Sequence, residues 1–332
     1  MTTAQDFPEA TGRYYHRNSI ATILKNTMFS LIRFSISPYT ILPFYLKQLT
    51  GSIFLIGMVP ATYVIGLSLP QLFMANILER TRMRKRILVL SSLVQRVCIL
   101  GLLLLTFLQP RLTAPVIIGL FFITYLFYNI ARGCYSPVWI DFLGRGLPHD
   151  RGKIIGVGYF FGVLLNLLAS LLLTSLLGIL PYFQAISIIF AIAFSGSLVS
   201  FVSICSLHDE LPAELADGRE KKAAFFSRQK TGLPSQDFRH YPGWRGVIVG
   251  MEMMLSFCVL YGLAKFYLPI SYVGIFSAIL TFSNTISNPA WGWLGDRIGY
   301  LSITIAASLL VCLGQSWRRF FPIWPYLHCF FC

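Results

Sequence analysis

Chemistry has few places to reside in this chain. Only 12% of its 332 residues are charged, and most of those fall in turns, terminal segments and one long polar stretch, so an ionisable side chain inside an apolar run stands out. Arg33 lies about 12 residues into one such run, where a charge costs roughly 2.5–3.5 kcal/mol even on the mildest lipid scale, so something must compensate for it. Glu252 is the one carboxylate set inside a run away from its ends, and Arg96 and Arg132 sit closer to the ends of two others. Arg33 stays charged at any accessible pH, so it either binds an anionic group or pairs with an acid. Glu252 can change charge as its surroundings alternate between apolar and Arg-paired, which would couple a proton to movement. Arg96 and Arg132 have a plainer reading in which their heads snorkel to the headgroups.

Uncharged polar residues recur around these groups at helical spacing. The sets are Asn26, Ser30, Arg33, Ser37 and Thr40; Tyr125, Asn129, Arg132 and Ser136; Asn166, Ser170 and Thr174; Glu252 and Ser256; and Ser277, Thr281, Asn284 and Asn288. Each set falls on one stripe of a helix. Taken singly, such residues are ordinary glue between membrane helices. Taken together they need each other or water, because lipid satisfies none of them, and a shared aqueous cavity answers that need.

The elements that must hold these stripes follow from composition. Hydrophobic residues make up 55% of the chain, and its charged share is half the roughly 25% of ordinary soluble domains, too little to cover a globular surface. The net charge of +14 does not indicate a nucleic-acid partner, because the basic residues cluster in turns between apolar runs of about 20 residues. The partner they imply is the lipid bilayer. Seven cysteines (Cys98, Cys134, Cys205, Cys258, Cys312, Cys329 and Cys332) are scattered without zinc-site spacing, so neither a disulfide framework nor a metal site is expected. No cofactor is implied.

Nine spans are expected, at about 22–46, 53–77, 87–108, 115–138, 154–179, 182–206, 246–267, 272–292 and 301–315, each close to the length that crosses roughly 30 Å of hydrocarbon. Ser37-Pro38 and Leu42-Pro43 should bend the first. Residues 1–21 read as a cytoplasmic N-terminal segment with no cleavable signal peptide, and the polar stretch 207–243 reads as a cytoplasmic linker. It separates a six-helix half (22–206) from a second half of three helices (244–315), with an atypical aromatic and cysteine-rich tail at 316–332. About 19 Lys and Arg, including Arg13, Arg17 and Lys25, fall on the N-terminal side of the membrane, against Lys47, Arg111 and Lys265 on the other. The positive-inside rule therefore places the N-terminus in the cytoplasm of a multi-pass protein of the plasma (inner) membrane.

Two turns echo one another. The first contains Ala75, Glu79, Arg80 and Arg84 within Ala75–Arg86; the second is Gly292–Tyr300, with Gly292, Asp296, Arg297 and Gly299. Both read small residue, three residues, acid, Arg, and their small residues lie 217 positions apart, at 75 and 292. A half-domain is the repeating unit. These residues resemble the signature Gly-x-x-x-Asp-(Arg/Lys)-x-Gly between helices 2 and 3 of the major facilitator superfamily of secondary transporters. The second copy fits it well; the first departs with Ala75, Glu79 and Arg82.

The resemblance implies an all-α polytopic membrane protein of two pseudo-symmetric halves, here 6 + 3 helices, that moves a small-molecule substrate by alternating access. Protons are the expected coupling partner; efflux and uptake both stay open. It also implies that spans 1, 4 and 7 line the pathway, which puts Arg33, Arg132 and Glu252 on its wall; the polar stripes add Asn129, Asn166, Asn284 and Asn288 as pathway or coupling residues. Trp139–Leu143, Pro148 and Arg151-Gly152-Lys153 resemble the family's helix 4–5 junction. There Asp141 would pair with Arg80 or Arg84 in a gate that locks the cytoplasmic side.

At the offset of 217 a complete second half would end near residue 423, so truncation or a shifted frame near Leu313 is the expectation for the tail, with an interfacial tail as the alternative. The competing functional reading is a non-transporting membrane protein or sensor built on the transporter fold. A membrane enzyme has little behind it: His149-Asp150 stands alone in a basic loop, and no Ser-x-x-Lys, His-x-x-x-His or Asp-x-x-x-Asp pattern sits at a span end.

Overall fold

The computed structural model describes residues 10–80, 84–146, 151–207, 257, 259–298, 306 and 309. Its helices are α1 (Ala10–Ser35), α2 (Ile41–Leu49), α3 (Ile53–Arg80), α4 (Arg84–Leu108), α5 (Ala114–Gly146), α6 (Arg151–Ile179), α7 (Tyr182–Ser206) and α8 (Tyr272–Ile298), with a further helical segment at 259–265. Five of them, α3 to α7, carry spans long and apolar enough to cross a membrane.

Lipid sorts the faces of these helices. On α4, Leu90, Leu93, Val97, Leu100, Leu104 and Phe107 are exposed at alternating steps of three and four, while Ser92, Gln95, Arg96, Ile99 and Leu102 are buried. A stripe of that period faces hydrocarbon on one side and the bundle on the other. α1 lies outside the apolar set because its composition is inverted. Its polar residues Asn18, Thr22, Lys25, Asn26, Thr27 and Ser30 are buried, whereas Ile20 and Leu24 are exposed. Packed on α6 and α7, it brings polar chemistry into the interior of the bundle.

Small residues let α1 approach so closely. A Cβ on Gly162 of α6 would fall inside the Ser30 side chain, and Thr27 Oγ1 donates to the Gly158 carbonyl at 3.1 Å. α3 and α5 cross in the same manner, since a Cβ on Gly133 would meet the Leu67 carbonyl. The two halves meet where Ser170 of α6 donates to the Gly274 carbonyl of α8. Close backbone approach with hydroxyl bonds is how helices associate in a solvent that supplies no hydrophobic drive.

The first expected span, a single bent helix over 22–46, is instead two helices separated by residues 36–40. Pro38 donates no hydrogen bond and disfavours helix at Ser37. The break is then held by Thr40 Oγ1 donating to Ser37 Oγ at 2.8 Å and by Leu42 N donating to Ser37 O at 3.2 Å. Pro43 falls in the first turn of α2, where its missing N–H has no intrahelical partner to lose. α5 runs to Gly146, past the expected end near 138, so Asp141 lies on a helix that continues beyond its apolar stretch.

At the end of the bundle that carries Lys47, an apolar cluster of Phe44, Val259, Leu263 and Val273 packs α2 against the 259–265 segment and α8. Tyr267 adopts φ 52° and Leu268 N reaches Leu263 O at 3.1 Å, closing that segment with a left-handed cap. The halves are therefore packed together at this end.

Candidate functional site

α1 and α5 face one another across long side chains. On α1, Lys25, Phe29 and Arg33 recur every fourth residue and share one face. On α5, Arg132, Tyr135 and Trp139 do so at steps of three and four. Lys25 is 3% exposed, and its ammonium lies 3.7 Å from the Trp139 ring centroid, 5.2 Å from Tyr135 and 5.1 Å from Phe29. The ammonium also donates a hydrogen bond to Asn26 Oδ1 at 3.2 Å. The three rings form an aromatic cage, whose negative faces attract the cation in place of water. Tyr135, Trp139 and Phe142 stack along α5 and stiffen that cage.

Lys25 is thus a correction to the charge count, in which it served as a basic residue of the N-terminal segment. It lies inside the bundle. The signal was its place four residues before Phe29 and eight before Arg33, inside the expected span 22–46.

Arg132 leans on the same Phe29 ring from the other side, its guanidinium carbon 5.7 Å from Phe29 and 5.4 Å from Tyr63 of α3. It is half-buried, and among the described residues it makes no ion pair or hydrogen bond. Arg33 is exposed in the last turn of α1, where the negative end of the helix dipole favours a cation. The interrupted backbone at 36–40 follows it directly. Arg96 behaves differently: Nε donates to Ser197 O at 3.1 Å, Nη1 to Ser92 O at 2.7 Å and to Ser92 Oγ, and the guanidinium covers Phe201. It does not snorkel. It clamps α4 to α7, a structural role at 5% exposure.

Asn129 is fully buried, with Nδ2 donating to Tyr125 O at 2.8 Å and Oδ1 unsatisfied. Asn166 of α6 is buried with its Oδ1 unsatisfied as well. Glu252 and Gly299 lie outside the described residues. Asn284, Asn288, Gly292, Asp296 and Arg297 are placed on α8 by its backbone, as Ala75, Glu79 and Arg80 are on α3 and Arg151 on α6.

At the start of α4 two basic residues answer helix ends. Arg84 pairs with Asp141 and also donates to Leu78 O at 2.8 Å, near the end of α3. Lys85 Nζ donates to Leu207 O, just past α7, at 2.7 Å. Cations on orphan C-terminal carbonyls satisfy groups that the helices cannot. The Arg84–Asp141 pair joins α4 to α5 and lies wholly within the first half.

Two grooves flank α1, one shared with α7 around Leu31 and Ile192, the other with α6 around Leu24 and Leu164. Both are lined by apolar residues with a single hydroxyl each, and neither touches the cations.

Comparison with known proteins places this geometry in context. The profile of the Major Facilitator Superfamily matches residues 24–332. No curated protein sequence matches the chain. Among solved structures, the chain is similar to the partially occluded inward-open conformation of the xylose transporter XylE from E. coli, at 13% identity and a TM-score of 0.58, over 97% of this chain and 82% of that one.

Proposed function

This chain belongs to the major facilitator superfamily, and from that premise we propose that it moves a small solute across the plasma membrane by alternating access, driven by protons. The observation that carries the reading is the face shared by α1 and α5: cations with no ion pair among the described residues, next to a broken helix. Interrupted membrane helices commonly mark substrate sites in secondary transporters. Arg33, Arg132, Asn129 and Asn166 would contact the solute or its water, together with Asn284 and Asn288 of α8. Glu252 would carry the proton.

The N-terminus and the turns holding Arg84 and Arg297 would lie in the cytoplasm. In that orientation the Phe44–Val259–Leu263–Val273 cluster packs the halves together at the outer end. Asp141, with Arg84, would brace the basic turn and present it to the second half as part of the cytoplasmic gate, in which Ala75, Glu79, Arg80, Arg151, Gly292, Asp296 and Gly299 take part. The pair sits in one half, so it acts by holding the turn rather than by bridging the halves.

The test is uptake and counterflow in vesicles with and without a pH gradient, using a solute identified by an uptake or resistance screen of cells with and without the gene. Glu252→Gln should abolish proton-driven accumulation and leave exchange, and Arg33→Ala should abolish both. Parent-like accumulation by both variants would make these residues structural and remove the mechanism.

A further inference from the structure

The cationic face has a geometry of its own. Lys25 and Arg132 both approach the ring of Phe29, and Phe29 stands midway between Lys25 and Arg33 on one face of α1. Eight residues separate Lys25 from Arg33, about 12 Å along a helix. None of the three is ion-paired among the described residues. Like charges so close repel one another, and the aromatic cage offsets only part of the loss of water around Lys25.

Donor chemistry points the same way. Arg132 presents a planar fork of N–H groups between Phe29 and Tyr63, with none of its donors engaged among the described residues. Such a fork matches the paired oxygens of a carboxylate, phosphate or sulfate and fits a neutral sugar or amine poorly. Arg96 shows what a merely structural arginine looks like in the same bundle, with its donors spent on the Ser92 and Ser197 carbonyls.

We infer that the solute is an oxyanion, or carries an oxyanion head, and that it binds with this head on Arg132, between exposed Arg33 and caged Lys25. The inference rests on the pathway reading above and adds the chemical class of the solute. Arg33 meets the anion at the broken end of α1, Arg132 grips it with two parallel bonds, and Lys25 supplies the field from behind. A neutral molecule of the same shape leaves three repelling charges uncompensated and is rejected on that ground.

The test is calorimetric titration of the full chain in lipid nanodiscs with benzoate, inorganic phosphate and sulfate, at ionic strength held constant with chloride, and with benzamide as the neutral counterpart of benzoate. At least one oxyanion should bind and benzamide should not. Arg132→Gln and Lys25→Met should each weaken that binding at least tenfold, whereas Lys47→Gln, at the opposite end of α2, should not change it. Should Arg132→Gln fail to fold, Arg33→Gln on the exposed face carries the same expectation. Absence of binding by all three oxyanions, or equal binding by parent and variants, overturns the inference. Binding without flux in vesicles would instead sink the transport reading and leave this site standing; flux indifferent to both arginines, with no binding, would do the reverse.

Discussion

Two buried cations in this bundle have opposite energetics, and the difference lies in their hydrogen bonds. Arg96 is 5% exposed and spends its donors on two helices, so Arg96→Leu removes charge-assisted bonds worth about 1.5–3 kcal/mol each and should lower the melting temperature in detergent. Lys25, 3% exposed, has rings and one weak amide contact. Replacing an imperfectly compensated buried charge with an apolar residue of similar volume is often neutral or stabilising by about 1–4 kcal/mol, so Lys25→Met should hold or raise the melting temperature while impairing function. A fall in stability as large as that of Arg96→Leu would mean that Lys25 is structural. Arg33 stood out in the sequence because a guanidinium deep in an apolar run has no plain reading, whereas Arg132 could also be read as snorkelling. Lys25 did not, because a lysine near the start of a first span looks like a topology signal; only the ring of Trp139, over a hundred residues away, reveals it.

The helices themselves were legible where hydropathy is the governing force. The expected spans at 53–77, 87–108, 154–179 and 182–206 fall within or upon α3, α4, α6 and α7, since a run of about 20 apolar residues in lipid has little alternative to helix. α1 was less so. Its polarity is buried against α6 and α7, and that inversion depends on neighbours no single segment reveals. Gly162 is the point of closest approach, and Gly162→Val should cost about 1–3 kcal/mol by overpacking against Ser30; a melting temperature equal to the parent's would show that α1 can move aside. At the far end of α5 the continuation to Gly146 sets Asp141 beside Arg84. If that contact holds the basic turn in its gating position, Asp141→Asn should raise cytoplasmic labelling of cysteines placed at Asn129 and Ser136. Unchanged labelling would reduce the turn to a topology signal and a set of helix caps.

On the scale of the whole molecule, two facts combine: an apolar cluster joins the halves near Phe44, and Arg33 is exposed in the last turn of α1. Pseudo-symmetry was readable from the paired turns at 75 and 292, because a repeated half imposes its turn chemistry twice. The packed end was not, since Phe44, Val259, Leu263 and Val273 are ordinary apolar residues until the fold gathers them. The account requires Arg33 to face a water-filled path open to the cytoplasm rather than lipid. The measurement that tests this most directly is thiol labelling of Arg33→Cys in a chain whose seven native cysteines are replaced by serine, using a membrane-impermeant reagent on vesicles of both orientations. Reaction with a thiol needs water, so Leu168→Cys, on the lipid-facing side of α6, serves as the unreactive reference. The account predicts strong labelling of Arg33→Cys from the cytoplasmic face and weak labelling from outside. A cysteine at position 33 as silent as that at 168, or labelled chiefly from outside, would contradict it.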